Sequence, residues 1–70
     1  MTTTKEDVAT YFRFLDALRE SGAINMFGCF PYLIETFALE RGEARAIAGE
    51  WMRTFDRESS VEARAAAANL

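Results

Sequence analysis

The stretch PYLIETFALERGEARAIAGEWMRTF, residues 31–55, determines the fold that we predict. Its second half repeats apolar residues at the spacing of one helix face: Ala44, Ile47, Ala48, Trp51, Met52 and Phe55. Acidic residues at its start and Arg53 near its end suit the helix dipole, so a helix is predicted over about residues 40–55. Proline is tolerated in the first turn of a helix, so a shorter helix is predicted from Phe30–Pro31 to Phe37 or Ala38.

Only Ala38 and Leu39 separate these two predicted helices. A small residue, an apolar residue and a polar residue at the helix start are typical of the turn in a helix-turn-helix unit. Positions 38, 39 and 40 supply these three types in that order. The sequence therefore predicts a helix-turn-helix-like second and third helix.

A first helix is predicted over about residues 4–20. Thr3 and Glu6 have the spacing of a capping box, and Gly22 suits the left-handed conformation that ends many helices. Between this helix and Pro31 we expect a tight turn or a single 3₁₀ turn at Asn25–Gly28. The large side chains expected in the core are Phe12, Leu15, Leu18, Phe27, Leu33, Phe37, Leu39, Ile47, Trp51 and Phe55. The predicted fold is all-α, a compact three-helix domain over residues 1–56.

Residues 57–70 form an alanine-rich tail. Ser59 and Glu62 have the spacing of a second capping box, and alanine favours helix. Val61 is the only sizeable apolar residue before Leu70, so little is expected to anchor the segment. A solvent-exposed helix and a frayed tail both remain open.

The composition excludes most catalytic and metal chemistry. The chain has no histidine and a single cysteine, so it lacks the residues for a zinc site, a disulfide or a Cys-His pair. We expect Cys29 to be a small buried hydrophobe. Gly22 and Gly28 are isolated and form no phosphate-binding loop. We therefore expect no enzymatic activity, no cofactor and no small-molecule substrate.

The N-terminal residues Met1–Val8 do not resemble a secretory signal, and no apolar run approaches the length of a membrane span. We predict a soluble, cytoplasmic protein without a membrane partner. Its net charge of −3 opposes nonspecific attraction to nucleic acid.

The large apolar side chains exceed what a three-helix core of this size can bury. Aromatic residues and methionine are enriched at the centres of protein interfaces. A cluster of the surplus residues would form a surface for a protein partner or a second copy, whereas a core that absorbs most of them remains the alternative. The interface candidates are Tyr11, Phe14, Met26, Phe30, Tyr32 and Met52.

DNA binding is the alternative function. Arg41 and Arg45 lie one turn apart at the start of the predicted recognition helix and would reach guanine edges or phosphates, with Arg13 as a further basic candidate. Residues 40–53 nevertheless hold three acidic residues and three arginines. A neutral helix on an acidic protein lacks most of the attraction that dominates DNA affinity, so protein contact is favoured.

Residues 15–55 also contain the segments LRESGAINMFG, PYLIETFAL, EAR and WMRTF. In these segments the chain resembles a family of small uncharacterised proteins common in tailed-bacteriophage and prophage genomes. No activity is assigned to that family, so the resemblance implies a phage origin and a bacterial host cytoplasm. Glu40 departs from the serine-like cap of the family and places a carboxylate where a DNA-binding version would want none.

Overall fold

A computed structural model of the chain describes residues 4–22 and 30–70 and contains four helices in that part. The helices are α1 (Lys5–Ser21), α2 (Phe30–Phe37), α3 (Arg41–Thr54) and α4 (Val61–Ala67). The described residues form no strand, which confirms the predicted all-α class. α1 packs most extensively on α4 and also contacts α3, while α2 packs on α3. The predicted turn at Asn25–Gly28 and the residues Met26, Phe27 and Cys29 lie outside the described residues.

The capping box of α1 lies one residue later than the sequence predicts. Thr4 Oγ1 accepts a hydrogen bond of 3.1 Å from the backbone N–H of Asp7, whose carboxylate accepts one of 3.4 Å from Thr4 N–H. The prediction of Thr3 and Glu6 was wrong by one residue. The pairs Thr3–Glu6 and Thr4–Asp7 have the same spacing and both join a threonine to an acid, so the sequence does not distinguish between them. At the other end, Gly22 adopts φ 66° and donates to the carbonyl of Arg19, which confirms the predicted helix stop.

Residues 38–40 connect α2 to α3. Ala38 has a left-handed backbone with φ 55°, an uncommon conformation for a residue other than glycine. Glu40 is the N-cap residue of α3, yet its side chain makes no capping hydrogen bond. The chain thus reverses in three residues, and α3 begins without the side-chain cap that serine or threonine would provide.

One hydrophobic core joins the four helices. Its large, fully buried side chains are Val8, Phe12, Leu15, Leu33, Ile47 and Trp51. Of the predicted core, Leu18, Phe37, Leu39 and Phe55 are partly buried and pack against it. Alanines complete the core: Ala44 and Ala48 lie on the apolar face predicted for α3, whereas Ala9, Ala65 and Ala68 were not predicted.

The alanine-rich tail forms a helix, which is one of the two predicted alternatives. Ser60, and not Ser59, is its N-cap residue, and Ser60 Oγ accepts from the N–H of Ala63 at 3.1 Å. The expected solvent exposure holds for one face only, because Arg64, Ala65 and Ala68 are buried. The small side chains of α4 allow its backbone to lie close to α1, so this helix packs on the core although it has few large apolar residues.

Candidate protein-interaction surface

The structure separates four of the six predicted interface residues into two groups and leaves the other two undetermined. Tyr11 and Phe14 are partly buried and pack edge-to-face against Phe37, with ring centroids 4.9 Å and 5.2 Å apart. Tyr32 and Met52 are exposed, at 40% and 39% of their surface. Met26 and the side chain of Phe30 lie outside the described part.

Tyr11 and Phe37 also line a surface groove of about 560 Å³ between α1 and the α2–α3 connection. We call this the acidic–aromatic groove, and its lining residues are Tyr11, Phe37, Ala38, Leu39, Glu40 and Glu43. The left-handed turn at Ala38 ends α2 and starts α3 within three residues. It thereby brings the aromatic end of α2 and the acidic start of α3 to the same groove.

The groove has a negative electrostatic environment. Both charged residues that line it, Glu40 and Glu43, are acidic. Burial raises the pKa of the Tyr11 hydroxyl, and the negative charges of Asp7 and Glu43 raise it further. Carboxylates from α1 and α3 therefore act on the same phenol, next to the apolar surfaces of Phe37 and Leu39.

The arginines considered for DNA binding lie on two different helices. Arg41 and Arg45 are exposed on α3. Arg13, on α1, is also exposed, and its guanidinium lies 3.7 Å from the carboxylate of Glu62 in α4. Glu40 and Glu43 lie next to Arg41 in sequence, so the start of α3 presents mixed charges.

A buried polar cluster was missed by the sequence analysis. Asp16 Oδ1 accepts from Trp51 Nε1 at 2.9 Å and from Arg64 Nη1 at 3.0 Å, while Asp16 Oδ2 accepts from Arg64 Nη2 at 2.5 Å. The Arg64 guanidinium also lies 5.4 Å from the centre of the Phe55 ring, and that of Arg19 lies 4.6 Å from it. We call Asp16, Trp51 and Arg64 the Asp16 cluster.

The Asp16 cluster ties α4 to α1 and α3. Arg64 is only 5% exposed, and its Nε has no hydrogen-bond partner among the residues that the structure describes. Burial raises the pKa of Asp16, but the hydrogen bonds from Arg64 and Trp51 and the positive charges of Arg64 and Arg19 together lower it more, so its net pKa is below its usual value. Asp16 and Arg64 are therefore both charged at neutral pH, and their ion pair connects α1 to α4.

A second groove of about 610 Å³ lies beside this cluster, where α1 faces the α3–α4 connection. Its charged lining residues are balanced, with three arginines and three acids: Arg19, Arg57, Arg64, Asp16, Glu20 and Asp56. A balanced lining gives no preference for the charge of a ligand.

Within residues 4–22 and 30–70, no group of three or more metal-ligating side chains is close enough to hold an ion. In the same part of the chain, no helix is long and apolar enough to cross a membrane.

The chain matches no family model, and neither a curated protein nor a solved structure is detectably similar to it.

Proposed function

We propose that this chain is a small, non-enzymatic binding protein that acts by contact with another protein at the acidic–aromatic groove. The observation that carries the proposal is the groove itself, in which Tyr11, Phe37 and Leu39 present apolar surface beside two carboxylates. Apolar surface bordered by polar groups is the usual anatomy of a protein interface. Tyrosine is also among the residues that contribute most to binding energy.

The proposal includes a phage or prophage origin and a place in the cytoplasm of the bacterial host. Its support is the set of segments between residues 15 and 55 that resembles the phage family. A chain without histidine lacks the side chain most often used for acid–base catalysis, which supports a binding role.

Site-specific photo-crosslinking tests the groove as the contact surface. A photoreactive amino acid is placed at Glu40, on the groove, and in a matched variant at Glu58, an exposed acidic residue of the α3–α4 connection. In bacterial lysate we expect a discrete adduct from position 40 and none from position 58. Equal adducts from both positions, or none from position 40, would contradict the proposal. An adduct of twice the chain mass would identify a second copy as the partner.

DNA binding remains the second candidate, favoured by the exposure of Arg41 and Arg45 on a helix that follows a three-residue connection. Fluorescence anisotropy with duplex DNA at low salt tests it, because phosphate contacts are strongest there. We expect no saturable binding. Binding that Arg45→Ala abolishes and Arg57→Ala preserves would instead assign the function to DNA, since both variants remove one exposed positive charge.

A further inference from the structure

We propose that α4 is a hinged strap that opens as a unit while α1, α2 and α3 stay folded, and that the Asp16–Arg64 ion pair is the latch that holds it closed. The acidic–aromatic groove is lined by α1, the end of α2 and the start of α3. The movement of α4 is therefore separate from the function proposed for that groove.

The inward face of α4 is built from small or charged residues. Arg64 and Ala65 are buried in the helix, Ala68 is buried directly after it, and Val61 is partly buried at its start. Each alanine buries only one methyl group, whereas α1 and α3 bury large aromatic side chains. A helix of seven residues is also too short to be stable by itself, so α4 is ordered only while it is docked.

Polar contacts hold α4 in its docked position. In the middle of the helix, the Arg64 guanidinium donates to the two carboxylate oxygens of Asp16 at 3.0 Å and 2.5 Å. At the C-terminal end, Arg53 Nη2 donates to the carbonyl of Ala67 at 3.0 Å. Water can replace each of these partners after α4 has moved away, so the loss of each contact is partly compensated.

The latch gives α4 a defined position more than a large gain in free energy. Burial removes the charges of Asp16 and Arg64 from water, and that cost offsets much of the attraction between them. Both groups are hydrated again when α4 opens. Asp16 also keeps its hydrogen bond of 2.9 Å from Trp51 Nε1, which joins α1 to α3 without any contribution from α4. The open form therefore exposes this pair of residues and leaves the other helices in place.

The turn before α4 supplies the hinge. The Asp56 carboxylate accepts hydrogen bonds from the N–H of Glu58 at 2.9 Å and from the hydroxyl of Ser59 at 3.0 Å, and the Asp56 carbonyl accepts from the N–H of Ser59 at 3.2 Å. These bonds lie within residues 56–59, so the turn keeps its shape whether α4 is docked or open. The pivot is therefore at Ser60, between this turn and the helix.

Native-state hydrogen exchange, followed by NMR on the full chain labelled with ¹⁵N, tests the strap. Amides in a segment that opens separately exchange faster than amides that exchange only through complete unfolding. We expect the amides of residues 64–67 to share one protection factor, at least about tenfold below those of the buried residues Leu15 and Ile47. Low concentrations of urea should affect residues 64–67 little, because opening exposes less surface than complete unfolding.

Two variants separate the latch from the rest of the fold. Asp16→Asn keeps the shape and removes the charge that pairs with Arg64, and we expect it to raise the exchange rates of residues 64–67 at least about tenfold. Leu33→Val removes one methylene from the packing of α2, which the closed and open forms share. It should raise the exchange rates of Leu15 and Ile47 about fivefold and leave those of residues 64–67 unchanged. Far-ultraviolet circular dichroism confirms that both variants are folded.

Glu20→Gln is the matched control for charge. Glu20 is an exposed acid of α1, one turn after Asp16, and its replacement makes the same change in net charge. It should leave the exchange rates of residues 64–67 unchanged. Equal acceleration by Glu20→Gln and Asp16→Asn, or no acceleration by Asp16→Asn, would overturn the role of the ion pair as the latch.

The strap itself is overturned by three results. If residues 64–67 share the protection factor of Leu15 and Ile47, or if Leu33→Val accelerates both sets equally, the four helices unfold together. If protection declines residue by residue towards Leu70, α4 frays and does not open as a unit. If residues 64–67 have no protection at all, the strap has no closed state.

Discussion

We expect replacement of Asp16 by alanine to lower the free energy of unfolding substantially, although the substitution removes little apolar surface. The substitution removes the acceptor for three hydrogen bonds and leaves the buried Arg64 guanidinium without its ion-pair partner, so that the charge of Asp56 only partly balances it. Loss of one partner of a buried ion pair costs about 3–5 kcal/mol. The Asp16 side chain is 28% exposed, which admits some water, so we expect a loss near the lower end, about 3 kcal/mol.

That loss is large for a small domain. A chain of 70 residues has a total free energy of unfolding of roughly 4–10 kcal/mol. The expected fall in melting temperature is about 12–24 °C, since each kcal/mol shifts a domain of this size by about 4–8 °C. Urea unfolding, followed through far-ultraviolet circular dichroism and the fluorescence of the single tryptophan, measures the change.

The control is a double-mutant cycle with Arg64→Met. Methionine keeps much of the apolar stem of Arg64 and removes its charge, so Asp16 is left with its hydrogen bond from Trp51 and access to water. We expect this variant to lose about 1–2 kcal/mol. The double variant contains no stranded charge and should lose less than the two single losses combined, by at least about 1 kcal/mol. Additive losses, or a loss below about 1 kcal/mol for Asp16→Ala, would refute the assigned role of the buried pair.

Three further predictions concern acid and the two left-handed residues. Because the pKa of Asp16 is lowered in the folded state, its stabilisation is present above the unfolded pKa of about 3.9 and is lost as the pH falls through the folded pKa. The free energy of unfolding should therefore fall less steeply with decreasing pH in Arg64→Met than in the parent chain. Equal slopes in the two proteins would contradict this role of Asp16. Ala38→Gly should stabilise the chain by about 0.5 kcal/mol in thermal unfolding, because φ 55° strains alanine and glycine's extra unfolded-state freedom offsets part of the gain. Gly22→Ala should cost about 1 kcal/mol at φ 66°, although its Cβ would meet no atom within 4 Å; an unchanged melting temperature would argue against strain there.

The sequence placed α2 at its observed limits, Phe30–Phe37, from the proline in its first turn. In α1 and α3 the predicted limits agree with the structure within one residue, because each helix buries one regular stripe. The tail was harder to interpret because α4 packs through Ala65 and Ala68, whose small size gives no pattern to detect. Its fit depends on the shape of α1, which is not a property of the local sequence.

The site was predictable only in part for a similar reason. Tyr11 was identified as a surplus aromatic residue, but its place beside Glu43 depends on a contact between α1 and α3. The role of Asp16 was not predicted, because this residue accepts its hydrogen bonds from Trp51 and Arg64. These partners are 35 and 48 residues away in the chain, beyond the reach of helical spacing. The one available signal was the indole N–H of a buried tryptophan, which usually requires an acceptor.

The distribution of ion pairs distinguishes the two candidate functions. Among the described residues, the arginines that lie within 4 Å of an acidic partner include Arg13, Arg19, Arg53 and Arg64. Because those pairs are neutral, the net charge of −3 resides in the other charged residues, which include Asp7, Glu40 and Glu43 around the groove. A phosphate backbone approaching the start of α3 would meet these carboxylates together with Arg41, and the repulsion would offset the attraction. A partner protein with an exposed arginine would meet the same carboxylates favourably, so the charge that disfavours DNA on this face favours a basic protein.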